Sequence, residues 1–280
     1  MRLTEQQIAY FRAFGFLKFP GLLADQIDEV DRGFEGIWEA RGGGHNGQPH
    51  DGKARSCIVP FIDQSERLCR LIDDARVVGI ASSLLGDDFN YSGSDGNYYV
   101  GDTNWHSDGW RPPDGYVYLK MAIYLDPLTR ETGCLRVIPG SHHPGDWFAD
   151  LLQEKGHLRQ SEDWLGILGR DVPAVALETR PGDLLVFNHN TKHAAFGGNT
   201  HRRMFTINLS QRYRDADLPL LRDNVGSLAR FWIDRAYGET MILTAGPERR
   251  RHLEQIMAND GHLAELTRQA KLRMSEPARG

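Results

Sequence analysis

Histidine and carboxylate side chains two residues apart can reach one point in space when the backbone is extended, because residues i and i+2 then point to the same side. The run Asn104-Trp105-His106-Ser107-Asp108 offers such a pair. A neutral imidazole and a carboxylate are two of the three protein ligands in the facial triad of non-haem iron(II) sites, which leaves one side of the metal open. Among the 11 histidines only His106 is followed two residues later by aspartate. His252-Leu253-Glu254 is superficially alike, but it falls in a helical pattern, where i and i+2 face apart. The third ligand must be a histidine from a distant strand. His193 fits: Pro181-Gly182-Asp183 marks a turn, Leu184 to Phe187 a buried strand, and His193 follows a short loop. Arg202 and Arg203 then open another strand. A guanidinium fork is always charged and grips a carboxylate bidentately, which is what a dicarboxylate co-substrate needs.

The elements that must position these residues fall into three zones. Residues 1–88 read as mostly helical: Thr4 and Gln7 make a capping box ahead of Ile8, Phe11 and Phe14. A second helical face carries Ile27, Val30, Phe34, Ile37 and Trp38. The glycine-rich stretch from Gly42 to Lys53 is a loop, and Ser65 to Leu85 reads as one or two further helices. Residues 89–214 change to short Tyr- and Val-rich runs punctuated by Gly, Pro and Asp, the pattern of a sandwich or barrel. A polar, helical interruption at 146–170 is expected to lie over the barrel mouth. Residues 215–280 return to helix and should pack outside the barrel, with Ser275 to Gly280 frayed. One domain accommodates all three zones.

Composition narrows the function further. The chain has 280 residues, 40% hydrophobic and 25% charged, which is ordinary for a soluble globular protein. A net charge of −5 and basic runs no longer than Arg249-Arg250-Arg251 exclude a phosphate-tracking face, so no nucleic-acid partner is expected. No segment approaches the roughly 20 apolar residues that span a bilayer, and no secretory signal opens the chain. Cys57, Cys69 and Cys134 form neither a disulfide framework nor a zinc ribbon and read as small apolar side chains. A cytoplasmic setting follows.

The order of the motifs resembles the phytanoyl-CoA hydroxylase family of 2-oxoglutarate-dependent oxygenases. The matching residues are Trp105-His106-Ser107-Asp108, Leu125-Asp126-Pro127, and Gly133-Cys134-Leu135-Arg136-Val137-Ile138-Pro139-Gly140-Ser141-His142. Gly182-Asp183, Phe187, His193, Asn199 and Arg202-Arg203 complete the series. The resemblance implies an all-β core with flanking helices, a double-stranded β-helix (jelly-roll, cupin-like) barrel. It also implies Fe(II) held by His106, Asp108 and His193, 2-oxoglutarate as co-substrate, and dioxygen. The default reaction would be hydroxylation of an unactivated C–H bond in a small molecule, with release of succinate and carbon dioxide. Desaturation or ring closure would start from the same hydrogen abstraction, whereas the carboxylate of Asp108 disfavours halogenation. A non-catalytic cupin-like binding protein and a zinc-dependent hydrolase on a similar barrel are the rival readings.

The motif leaves open which arginine takes the far carboxylate of 2-oxoglutarate. Strand alternation groups Arg202 with Met204, Thr206 and Asn208, and Arg203 with Phe205, Ile207 and Leu209. The polar set suits a pocket, so Arg202 is preferred, Thr206 is expected beside the co-substrate, and Arg203 is the alternative. Tyr98, Trp110, Arg111 and the 146–170 interruption are candidates for the substrate pocket. Trp105 is expected to pack around the iron site, Met121, Ile123 and Leu125 in the core, and Lys120 and Arg136 on the surface. His142 and His143 read as structural, and His189 as a weaker competitor of His193. His45, His50 and Asp51 read as surface or as a mobile segment over the site. Substrate identity and oligomeric state are not encoded in any motif.

Overall fold

The computed structural model describes all residues except 110, 112–114, 155–157 and 159. Among the described residues the strands are β1 (Phe16–Phe19), β2 (Ser56–Ile58), β3 (Phe89–Tyr99), β4 (Thr103–His106), β5 (Tyr118–Tyr124), β6 (Leu135–Val137), β7 (Val175–Leu177), β8 (Leu184–Asn188), β9 (His193–Ala195) and β10 (Arg202–Gln211). They form a six-stranded sheet in the order β1-β8-β5-β10-β3-β2 and a four-stranded sheet in the order β4-β9-β6-β7. Every pairing is antiparallel. Two such sheets facing each other, with helices outside, make the jelly-roll core. The N-terminal zone is less purely helical than its periodicity predicts, because it supplies both edge strands of the large sheet.

Alternation along the large sheet divides its residues between two environments. Leu119, Met121 and Ile123 of β5 and Phe205, Ile207 and Leu209 of β10 face outward into the main core. There they meet Phe11 of α1 (Glu5–Phe14) and Val30, Phe34, Ile37 and Trp38 of α2 (Ile27–Ala40). Residues of α3 (Glu66–Cys69), α4 (Ala75–Leu85) and the C-terminal helices complete that layer. Each such side chain, buried fully, contributes about 1.5–3 kcal/mol relative to exposure. The opposite faces of β5 and β10 look into the space between the sheets. The capping box forms as read, with Thr4 Oγ1 accepting from the Gln7 backbone N–H at 3.2 Å, although Phe14 at the end of that helix is exposed. All three cysteines are buried and unpaired with one another.

Two expectations about covering segments need correction. The described part of the 146–170 stretch packs behind the small sheet, where Leu152 and Leu158 bury with Val172 against Trp105, Ala194 and Phe196, while Gln153 reaches cavity-lining Ser107. Apolar side chains on the outward face of β4 and β9 demanded that cover. The last residues are not frayed either. Ala278 N–H donates to the Arg230 carbonyl at 2.8 Å, Pro277 O lies 3.0 Å from His45 Nε2, and Gly280 lines the cavity between the sheets. No helix among the described residues is long and apolar enough to cross a membrane.

Candidate metal centre

His106 and His193 stand opposite each other because β4 and β9 are antiparallel neighbours that pair these two residues directly. Their ring centroids are 4.2 Å apart. A register irregularity in β4 between Thr103 and His106 turns both residues towards the inter-sheet cavity, which they line. Asp108, just past the strand, is fixed by its N–H donating to the His189 carbonyl at 3.0 Å. Ligand atoms of His106, Asp108 and His193 all lie within 4.8 Å of one another. Individually, Asp108 Oδ1 is 3.9 Å from His106 Nε2 and Oδ2 is 3.7 Å from His193 Nε2.

The second ring nitrogen decides what each imidazole can do. His106 Nδ1 is 2.8 Å from the Asn104 carbonyl and His193 Nδ1 is 2.9 Å from that of Thr191. A carbonyl only accepts, so each ring carries a proton on Nδ1 and turns its Nε2 inward. Burial pushes the His193 imidazole down to about 3, helped by neighbouring His106 and opposed by Asp108. Burial opposes ionisation of Asp108, yet Lys120 and the surrounding imidazoles hold its carboxyl well below the usual carboxylate range. Two neutral nitrogens and one carboxylate converging on one point form a cation site by donor chemistry.

Lys120 is the residue that sequence reading misplaced. Its side chain is only 17% exposed and Nζ sits 2.8 Å from Asp108 Oδ2, where it occupies the position of a counter-charge. The signal was available: Lys120 alternates with Leu119 and Met121, which pack outward, so it must point into the barrel. Arg136 is likewise buried, donating to the carbonyls of Arg130 and Arg170 instead of facing solvent. Trp105 faces away from the triad and donates Nε1–H to Gly169 O at 2.8 Å, bracing the small sheet from behind.

The two neighbouring arginines have opposite surroundings. Arg203 is spent on the protein: it pairs with Asp31 at 2.8 Å, Glu35 at 2.7 Å and Asp126 at 2.9 Å. Arg202 is 2% exposed, lines the same cavity as the triad, and its Nε and Nη1 have no hydrogen-bond partner among the described residues. Its guanidinium is cradled by Gly133 and Gly198, where an added Cβ would collide with Nη1. A buried, unsatisfied cation is costly, and a carboxylate arriving in the cavity would relieve it. Thr206 lines the cavity two inward-facing positions further along β10, its hydroxyl donating to Asp95.

The remaining expected site residues divide. Tyr98 points out of the barrel, stacks on Trp38 with centroids 4.1 Å apart and donates to Glu35; its neighbour Tyr99, paired with Arg202, lines the cavity instead. Arg111 lies a layer behind, its guanidinium 3.7 Å over the ring of cavity-lining Tyr118. Trp110 lies outside the described residues, and no described residue of the 146–170 stretch lines the cavity. His142 is structural, with Nε2 3.2 Å from the Arg12 carbonyl. His189 lines the cavity, and burial lowers it to about 4, but it is not part of the metal-ligand cluster. His45 is buried between two carbonyls, and His50 holds Ser56 and Thr200, so that loop is tied down.

The cavity of about 450 Å³ thus holds a metal-ligand triad and a waiting arginine on facing sheets. Against known families, the model of phytanoyl-CoA dioxygenase (PhyH) matches residues 11–205. The chain belongs to this family. Within it, the ectoine dioxygenase of Sphingopyxis alaskensis is 31% identical over 171 residues, covering 55% of this chain and 56% of the relative. The L-proline trans-4-hydroxylase of Streptomyces griseoviridis is 34% identical over 95 residues, 30% of this chain and 34% of that one. The chain therefore spans about half the length of the ectoine dioxygenases it matches, and less of the proline hydroxylase. Solved structures of similar fold include the α-ketoglutarate-dependent carbocyclase SnoK of nogalamycin biosynthesis, at TM-score 0.58 and 22% identity over 79% of this chain and 90% of that one. HygX of Streptomyces hygroscopicus, solved with nickel and 2-oxoglutarate bound, matches at TM-score 0.58 and 16% identity over 76% and 89%. These structures establish the shared jelly-roll fold.

Proposed function

We propose that this member of the phytanoyl-CoA dioxygenase family is an iron(II)- and 2-oxoglutarate-dependent dioxygenase that hydroxylates an unactivated C–H bond of a small molecule. Succinate and carbon dioxide would be the co-products. The observation that carries the reading is Arg202, a buried guanidinium whose Nε and Nη1 have no hydrogen-bond partner among the described residues, in the cavity that holds His106, Asp108 and His193. A zinc hydrolase needs the triad but has no use for a buried anchor for a second carboxylate, so Arg202 favours the oxygenase over that rival.

Each residue has a task that its geometry supports. His106 and His193 would offer Nε2, and Asp108 one carboxylate oxygen, to the metal. Arg202 would hold the far carboxylate of 2-oxoglutarate, with Tyr99, Tyr124 and Met204 walling the co-substrate. When bound, iron(II) supplies the activation of dioxygen that couples oxidative decarboxylation to C–H oxidation. The protein's share is orientation and exclusion of water, and the apolar inter-sheet cluster around Leu135 and Phe187 provides the dry wall. Curated relatives named for ectoine and L-proline, and solved neighbours carrying iron, nickel or 2-oxoglutarate, support a small-molecule substrate and this co-substrate.

The test is oxygen uptake and succinate formation by iron-loaded protein with 2-oxoglutarate, with and without candidate substrates. Uptake that needs both iron and 2-oxoglutarate, and that disappears in His193→Ala, supports the proposal. Iron bound tightly with no 2-oxoglutarate-dependent uptake in any condition contradicts it.

A further inference from the structure

Two phenols in the cavity have a proton to give and no group of the protein to take it. Asn224 Nδ2 donates to the hydroxyl oxygen of Tyr118 at 3.0 Å and to that of Tyr213 at 2.8 Å. A primary amide has two N–H groups, so each phenol accepts one and keeps its own O–H hydrogen to donate. Among the described residues neither O–H has an acceptor. Tyr118, Tyr213 and Asn224 all line the cavity that holds the metal ligands. Packing fixes both rings: Tyr213 stacks on Tyr116 with centroids 4.2 Å apart, and the Arg111 guanidinium lies 3.7 Å over Tyr118. The tyrosines are 7% and 3% exposed, so the two donors are held by their surroundings and by one shared amide.

This group lies beside the metal centre and away from Arg202. The Tyr118 carbonyl accepts from the His189 N–H at 3.0 Å, and the His189 carbonyl accepts from the Asp108 N–H at 3.0 Å, so one residue links the tyrosine to a metal ligand. Tyr118 pairs with Ser210 of β10. Eight residues of strand separate Ser210 from Arg202, about 26 Å at 3.3 Å per residue. A five-carbon dicarboxylate anchored at Arg202 is too short to reach this end. The wall here comes from the helix Leu218–Gly226 and the turn after it, where Leu221, Val225, Leu228, Phe231 and Ile233 line the cavity. The family model stops at residue 205, so this wall falls outside the matched span. A molecule that fills this end meets hydrocarbon on one side and two O–H donors on the other.

On the oxygenase reading above, we propose that the substrate carries a carbonyl-type oxygen that accepts from the Tyr118 and Tyr213 hydroxyls, while its hydrocarbon part lies against Leu228, Phe231 and Ile233. Tyr118, Tyr213 and Asn224 are thereby specificity-determining residues, selecting oxygen acceptors over molecules that offer only donors. A ketone and a carboxylate present the same oxygen. Arg55 and Arg230 also line the cavity and would favour the carboxylate, and the test separates the two.

Three probes with one ring, cyclohexanone, cyclohexanecarboxylate and cyclohexylammonium, are titrated calorimetrically into anaerobic protein, with and without iron(II) and 2-oxoglutarate. The proposal expects the ketone and the carboxylate to bind roughly tenfold or more tightly than the ammonium, the scale of two neutral hydrogen bonds. Replacing both phenols (Tyr118→Phe with Tyr213→Phe) keeps the rings and should weaken the ketone by a similar factor. Asn224→Asp supplies a carboxylate that takes both phenol protons, so it should reverse the order in favour of the ammonium. No binding of the ketone, or equal affinity in wild type and the double phenylalanine variant, overturns the proposal. Preference for the ammonium in wild type does so too, since Asn224 would then turn its oxygen to the phenols. Binding of the carboxylate alone, unchanged in the double variant, assigns recognition to the arginines and also overturns it. The visible charge-transfer band of the loaded protein tests the other reading separately: its absence defeats the iron and 2-oxoglutarate assignment, while the calorimetric order still decides this one.

Discussion

Arg202 and Arg203 are adjacent in sequence and opposite in fate, because consecutive strand residues face opposite sides of a sheet. One is buried in the cavity with Nε and Nη1 unbonded among the described residues; the other closes a cluster of three carboxylates at the sheet's outer face. Their alanine variants should separate binding from stability. Arg202→Ala should raise the KM for 2-oxoglutarate by about 10–100-fold, the value of a charge-assisted bidentate contact at 1.5–3 kcal/mol, with no loss of melting temperature. Arg203→Ala should leave that KM near wild type and lower the melting temperature by a few degrees, since partly exposed pairs are worth about 1 kcal/mol each at most. Steady-state kinetics and thermal melts on both variants check the pair; a stability loss in Arg202→Ala larger than in Arg203→Ala would reverse the assignment. At this scale the sequence was legible where alternation was applied and misleading where it was not. Polar and apolar sets on β10 pointed to Arg202. The same rule applied to β3 would have chosen Tyr99 over Tyr98, and applied to β5 would have turned Lys120 inward. Unpartnered atoms, by contrast, are properties of three-dimensional surroundings and leave no trace in a linear string.

At the scale of elements, the site depends on loops that let one guanidinium lie flat. Gly133, just before β6, has φ of +92°, and a Cβ there would meet Arg202 Nη1. Gly166 has φ of +69° but opens onto free space. Alanine at either position should cost about 1–2 kcal/mol of backbone strain. Only Gly133→Ala should also weaken 2-oxoglutarate, about tenfold if one charge-assisted hydrogen bond is displaced. Comparable KM values in the two variants would show that the cradle does not act on Arg202. Helices and strands were largely readable from period and capping, as with Thr4 and the face of α2. The short edge strands β1 and β2 were not, because three or four residues carry too little periodicity and their pairing is decided by the sheet they join. The cover behind the small sheet was likewise hidden, since a helical pattern shows that a face is apolar but not which surface it meets.

For the molecule as a whole, Asp63 links the main core to the C-terminal helices. Its buried carboxylate accepts from Tyr91 at 2.5 Å and from the Gly238 N–H at 3.0 Å. Burial pushes the carboxyl up to about 6 despite these bonds. The fold therefore favours the neutral form: that contribution is complete below an unfolded value near 4 and disappears as pH rises through about 6. Thermal melts should show stability falling by roughly 2–3 kcal/mol across this window from Asp63 alone, and Asp63→Asn should flatten that slope. A wild-type slope unchanged by Asp63→Asn would mean that other groups set the pH response. The jelly roll was inferable from motif order, but the docking of residues 275–280 against Arg230 and His45 was not, since their composition looks like any free tail.

The most direct test of the iron and 2-oxoglutarate assignment is the visible charge-transfer band of anaerobic, iron(II)-loaded protein titrated with 2-oxoglutarate. The account predicts a saturable band in wild type, its loss in His106→Ala and His193→Ala, and in Arg202→Ala a band that needs far more 2-oxoglutarate to saturate. Iron bound at the triad with no band at any 2-oxoglutarate concentration would contradict it.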